Sequence, residues 1–461
     1  MNSILSAPFA PLLYLRPRFR QDQDWSYRQA LANTFMKVFL RIFVVFRTKP
    51  PLSLKPGLDG DRFVVIEPGP PALYTSITVD DEIQPVAVGG TWFPSLYQYN
   101  TTTTQDKHVV LHFHGGSYIL GDGRTSSCKF LANSLLEHTP VSHVFSLQYR
   151  LACNPNGRFP AQLQDAISAY SYLLHTLHIP ASRIVFSGDS AGGHLVLALL
   201  RYITKYDDET ILPRPTCSWL FSPWCDIPNS RNKHLWENIP NVQTDYIPPS
   251  FPAWGAKHLI GNLDITSEFE PYLAPIWHPF VLPSPVLIVS GGREVMCQEH
   301  DRLARHFSKM QQNEGRVEYF VQEHLPHDIL MVAWILNFRK EAEQCAVKAG
   351  GFLTRTQAQS EGDDTEVPSL AFDFREGGPG YSNQTNDEET RQPSAFSDIN
   401  PPPKFFLSFN LFSLKILYPS QLTTRIEAPI LDIIIFNATL ISVLISSKIV
   451  GTIDLSTSVI P

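Results

Sequence analysis

Between residues 61 and 340 the chain alternates two textures, and this alternation restricts the fold more than any other feature. Seven short apolar runs, "FVVIE", "HVVLHFH", "HVFSLQYR", "RIVFSGDS", "TCSWLFSPW", "PVLIVSGG" and "VEYFVQE", have the length and residue types of strands. Longer stretches between them have helical periodicity: "KFLANSLLEH", "FPAQLQDAISAYSYLLHTL", "AGGHLVLALLRYITKY", "QEHDRLARHFSKMQQ" and "DILMVAWILNFRKEAEQC". Strands that alternate with helices bury both faces of a mostly parallel sheet. The expected class is therefore α/β, a mostly parallel central sheet flanked by helices. A chain of 461 residues holds one such core with length to spare.

The flanks differ from this body. Residues 25 to 48 have a helical pattern whose apolar end, Phe35 to Phe46, contains Lys37 and Arg41. That end is short for a membrane span. It reads as a cap helix over a pocket or as a helix lying on a membrane surface. The first twenty residues hold three prolines and no basic segment before an apolar run, so no convincing signal peptide is present. Residues 350 to 402 are rich in Gly, Ser, Pro, Gln and acids, the composition of a disordered linker. In the apolar tail at 403–461, Ile430 to Val450 has 14 apolar residues out of 21, interrupted by Asp432, Asn437 and Lys448. This stretch reads as a membrane segment, a weakly ordered tail or a segment without a structural role. The expected division is a cap or membrane-associating segment at 1–60, the α/β domain at 61–349, the linker and the tail. A cytoplasmic location and one at the endoplasmic-reticulum membrane both fit.

Charge and cysteines exclude several classes. The net charge is −7 and no basic stripe occurs, so nucleic acid is not an expected partner. The six cysteines form no C-x-x-C pair and are expected to be mostly free core thiols. His112 and His114 lie on one side of a strand but nothing completes a metal site, and neither metal nor cofactor is expected. "GDGRTS" lacks the third Gly of a dinucleotide fingerprint, and "HGGSY" lacks the P-loop Lys.

Gly188-Asp189-Ser190-Ala191-Gly192 is a G-x-S-x-G motif that ends a strand and opens a helix. A sharp turn there puts Ser190 at its apex as a nucleophile, beside the free N–H groups of a helix start. A nucleophilic Ser needs a base, an acid behind it and donors for the developing oxyanion. The base is expected at His327, just before a helix, with His324 as the alternative. The acid is expected at Glu294 after "PVLIVSGG", with Glu299 and Asp301 as alternatives inside the next helix. Gly115 and Gly116 end an earlier strand, and their N–H groups with that of Ala191 form the expected oxyanion hole.

"HFHGGSYILG" together with "GDSAGGH" resembles the hormone-sensitive-lipase-like branch of the α/β-hydrolase fold. "YRLACNPNGRFPAQLQDA", "SPWCDI" and "PYLAP" agree with it, and the likeness covers about 60 to 340. The resemblance implies an N-terminal cap and the same roles for Ser190, His327, Gly115, Gly116 and Ala191. Three departures stand out: Ser117 where the family has Gly or Ala, Glu294 where it has Asp, and Cys153-Asn154 where it has Pro-Glu. The expected activity is hydrolysis of a lipophilic or small acyl ester, with a small-molecule ester as partner and a membrane surface as a second one. An amide or arylformamide hydrolase and a non-catalytic small-molecule receptor are the alternatives. The oligomeric state is not readable.

Overall fold

Among the described residues eight strands, one more than the apolar runs announce, line up in one sheet. They are β1 (Phe63–Ile66), β2 (Val88–Phe93), β3 (His108–Phe113), β4 (Val141–Gln148), β5 (Ile184–Asp189), β6 (Cys217–Phe221), β7 (Val286–Gly291) and β8 (Val317–Gln322). The order is β1-β2-β4-β3-β5-β6-β7-β8. β2 runs antiparallel to β1 and to β4, and every pairing from β4 to β8 is parallel. This computed structural model describes residues 10–98, 107–205 and 212–362. The linker beyond 362, the tail at 403–461 and the stretch Ile430 to Val450 lie outside the described residues.

The longer helices are α1 (Tyr27–Phe46), α2 (Thr125–His138), α3 (Ala161–Ser171), α4 (Ala191–Lys205), α5 (Ser250–Ile260), α6 (Cys297–Ser308), α7 (Ile329–Leu336) and α8 (Arg339–Gly362). They cover the parallel strands, so β3, β5, β6 and β7 are buried at every residue. That burial is why these strands read as continuous apolar runs. β2, "VGGTWF", has no such run, because the rings of Phe63 and Phe145 occupy the space beside Gly89 and Gly90. All six cysteines are free.

α1 begins with a capping box. Ser26 Oγ accepts from Gln29 N–H at 3.2 Å, and Gln29 Oε1 accepts from Ser26 N–H at 2.7 Å. Its buried face, Ala30, Leu31, Thr34, Lys37, Leu40 and Phe43, follows helical spacing and packs on α5 and α7. Phe43 meets Phe251 and Trp254 edge to face at 6.2 and 5.7 Å. Among the described residues α1 is the helix long and apolar enough to cross a membrane. It also buries 44% of its apolar window in the protein.

Two boundaries differ from expectation. The helix expected over "DILMVAWILNFRKEAEQC" breaks at Asn337, whose φ of 65° ends α7. Residues 350–362, expected as the start of a linker, are helical instead, since α8 continues to Gly362 and buries Phe352 and Leu353.

Candidate active site

The ends of β5, β7 and β8 meet at the carboxyl edge of the parallel sheet, where open α/β sheets leave a crevice. β5 ends at Asp189 and α4 starts at Ala191, so Ser190 alone makes the turn. Its φ is 52°, a conformation that costs a residue with a side chain about 1–2 kcal/mol. Backbone bonds hold it there. Ser190 N–H donates to Phe221 O at 2.8 Å, and Ser190 O accepts from Trp224 N–H at 2.9 Å.

Ser190 Oγ donates to His327 Nε2 at 2.8 Å, and His327 Nδ1 donates to Glu294 Oε2 at 2.7 Å. His327 lies between β8 and α7, and Glu294 lies in the turn between β7 and α6. Glu294 is wholly buried. Its Oε1 accepts from Gly291 N–H at 2.5 Å, Ser222 Oγ at 2.9 Å and Ser290 Oγ at 3.0 Å. Burial opposes ionisation of Glu294, but the His300 and His327 rings hold its carboxyl well below the usual range. Burial likewise favours a neutral His327, and the bond to Glu294 outweighs it and raises the ring's pKa.

The alternatives lie elsewhere. The His324 ring is 45% exposed and stands 3.7 and 3.6 Å from Asp22 and Asp24. Glu299 lines a separate cavity of about 140 Å³ with Asp226, Trp277 and Arg302. Asp301 pairs with Arg305 on the surface of α6.

The loop after β3 needs a correction. Gly115 N–H, expected as an oxyanion donor, donates to Asp189 Oδ2 at 2.7 Å. A Cβ at Gly115 would stand 2.3 Å from that oxygen and 3.0 Å from Asp328 Oδ2, so this glycine makes room for two carboxyls. Gly116 has a φ of 103°, and a Cβ there would stand 2.2 Å from Leu120 O. Among the described residues the N–H groups of Gly116, Ser117 and Ala191 have no acceptor within the chain. His112 and His114 brace this loop. His112 stands between Ser187 Oγ and Asp189 Oδ1, each at 3.1 Å, and His114 Nδ1 donates to Gly115 O at 2.7 Å.

Asp328 is a buried residue that the sequence pattern did not single out. It follows His327 with a φ of 44°, and its N–H donates to Ser222 Oγ at 3.0 Å. Burial and the neighbouring Asp189 push the Asp328 carboxyl well above its usual range. Against burial, His112 and Asp328 hold Asp189 below it. Of the two neighbouring carboxyls, Asp328 is therefore the one that takes a proton more readily. No motif marks Asp328, because its partner is 139 residues away.

Among the described residues two clusters have cation-ligand spacing. In Asp245, Glu294 and His327 the ligand atoms lie within 4.8 Å, as they do in Asp22, Asp24 and His324. In the first, both ring nitrogens of His327 already make hydrogen bonds. In the second, Asp22 is paired with Arg293. The donor sets suit hydrogen bonding better than a cation.

Residues 110–331 match the family model described as alpha/beta hydrolase fold. An acetyl-hydrolase of Streptomyces hygroscopicus is 28% identical over 249 residues, which cover 54% of this chain and 76% of the relative. A carboxylesterase/phospholipase of Mycobacterium tuberculosis is 29% identical over 196 residues, 41% of this chain and 48% of the relative. Among solved structures, an esterase from the bacterial hormone-sensitive lipase family superposes with a TM-score of 0.48 at 22% identity. That superposition covers 76% of this chain and 98% of the other. Residues 110–331 thus carry the alpha/beta hydrolase fold, and the chain is a carboxylesterase-type serine hydrolase.

Proposed function

We propose that the chain hydrolyses a carboxylic ester of a lipophilic or small acyl group through Ser190, His327 and Glu294. Ser190 Oγ attacks the carbonyl carbon while His327 Nε2 takes its proton. Glu294 keeps the ring in the tautomer that leaves Nε2 free to accept, and stabilises the imidazolium that forms. His327 then gives the proton to the departing alcohol. A water, deprotonated by the same ring, attacks the acyl-enzyme; the bond to Ser190 Oγ breaks, the ring returns the proton to that oxygen, and the acid leaves. The N–H groups of Gly116, Ser117 and Ala191 serve the oxyanion, each donor being worth about 3 kcal/mol. Gly115 contributes through its bond to Asp189 instead.

The observation that carries this reading is the unbroken hydrogen-bonded line from Ser190 through His327 to a buried, ionised Glu294. A binding protein without catalysis has no need for it. The test is turnover of p-nitrophenyl esters of rising chain length by the purified protein and by Ser190→Ala, with a fluorophosphonate probe alongside. Ester cleavage lost in the variant and a label on Ser190 are expected. Undiminished turnover by Ser190→Ala refutes the mechanism. Faster cleavage of an arylformamide than of any ester moves the substrate class to amides. A folded protein that neither turns over nor takes the label is a receptor.

A further inference from the structure

The turn that holds Glu294 is gripped by a strap, residues 239–247. Asn241 Nδ2 donates to Gly292 O and to Glu294 O, both at 3.0 Å. Thr244 Oγ1 donates to Arg293 O at 2.7 Å, and Val295 N–H donates to Asp245 Oδ2 at 2.7 Å. The strap is itself held by α1, where Asn33 Nδ2 donates to Thr244 O at 3.0 Å and Lys37 Nζ donates to Val242 O. Lys37 is only 6% exposed. Burial pushes its ammonium down to about 8 against the pull of Asp245.

Asp245 is wholly buried and makes a second backbone bond, accepting from Ile247 N–H at 3.0 Å. An oxygen of Asp245, an oxygen of Glu294 and a ring nitrogen of His327 all lie within 4.8 Å of one another. Nothing in the proposed reaction uses Asp245. We propose that Asp245 is a positioning residue: it fixes the Glu294 turn through Val295 and adds a second carboxylate to the field on the His327 ring. This rests on the reading of Ser190, His327 and Glu294 given above.

The charges around it are consistent with that role. Burial, with Glu294 adding to it, raises the Asp245 carboxyl above its ordinary range, while His327, two N–H donors and the Lys37 ammonium on α1 favour the ionised form. The ring of His327 is faced by Glu294, by Asp245 and by Asp189 at the end of β5. The ring of Tyr246 stands 6.1 Å from it, and Arg41 adds a second positive charge near Lys37. Removing one of three carboxylates weakens the imidazolium without breaking the line from Ser190.

The test compares the full chain with Asp245→Asn, using p-nitrophenyl acetate across pH. A carboxylate at this range raises an imidazole pKa, so the acid limb of kcat/KM is expected about one pH unit lower in the variant. The plateau kcat is expected to fall about tenfold with KM within about twofold, the mark of an interaction made in the transition state. Glu294→Ala is expected to keep turnover at least about tenfold above Ser190→Ala, and Glu294→Ala/Asp245→Asn to lose it, because Asp245 still acts on the ring in the single variant. An acid limb that stays put while the melting temperature falls makes Asp245 structural only and overturns the proposal. If Asp245→Asn does not fold, Glu294→Ala alone decides, and turnover no higher than Ser190→Ala overturns it. Full turnover by Ser190→Ala instead refutes the underlying reading, and the proposal with it.

Discussion

Gly116→Ala tests the oxyanion loop directly. Gly116 has a φ of 103°, and an added Cβ stands 2.2 Å from Leu120 O, a backbone atom that cannot swing aside. Alanine in a left-handed conformation costs about 1–2 kcal/mol before any contact is counted. Relieving the contact to 3.0 Å needs a shift of about 0.8 Å, and misplacement near 1 Å costs about 10²-fold in rate. Loss of one donor gives the same figure, since about 3 kcal/mol is about a hundredfold. The variant is therefore expected to bind ester with little change in KM and to lose about a hundredfold in kcat. Steady-state kinetics on a p-nitrophenyl ester measure both, with circular dichroism to establish that the chain is folded. A folded Gly116→Ala within threefold of the parent kcat would show that these N–H groups do not serve the oxyanion.

Three further outcomes follow from the same geometry. The proposed mechanism needs a neutral His327, and Glu294 raises that ring's pKa, so kcat/KM is expected to fall as pH drops through a value above the ordinary 6.5. A pH–rate profile with its acid limb below 6.5 would contradict this. Burial and Asp226 push the Glu299 carboxyl up to about 8. Its proton leaves more readily from the unfolded chain, so stability falls as pH rises from about 4.5 to about 8. Glu299→Gln should flatten that slope in melting temperature, and an unchanged slope would count against the assignment. Arg150 pairs with the wholly buried Asp165 at 2.7 Å and also donates to Ala161 O and Gln164 Oε1. Arg150→Ala leaves a buried carboxylate unpaired, a loss of about 3–5 kcal/mol, measurable by urea unfolding.

That last pair explains a stretch of sequence. "YRLACNPNGRFPAQLQDA" holds Arg150 and Asp165 fifteen residues apart, at the end of β4 and inside α3. Asp80 and Glu82 take Arg158 in the same way. Cys153 and Asn154 stand outside both pairs. Asn154 Nδ2 instead donates to Pro50 O at 2.9 Å, and Cys153 Sγ lies against Ile119 O.

Ser190 was legible because everything that shapes its turn is local: a β-strand, two glycines and a helix start within a few residues. The parallel strands were legible because burial on both faces leaves only apolar side chains. β2 was not, because its glycines answer to rings on β1 and β4. The strap at 239–247 was not, because "IPNVQTDYI" has neither period, and Asn241, Thr244 and Asp245 meet partners about 50 residues away. The N–H of Gly115 looked free in sequence and is taken by Asp189, 74 residues on.

By itself, then, the sequence determined the alternation of strands and helices, the turn at Ser190 and the residue types that surround it. Those depend on periodicity and on backbone preferences, which act over a few residues. Only the tertiary structure decided which acid meets His327, which N–H groups stay unpaired, and that Asp189 and Asp328 both flank Gly115. These are matters of a few tenths of an ångström between strand ends far apart in the chain. They are settled when the sheet closes and water leaves the site, because burial then decides which polar group each donor and acceptor must take.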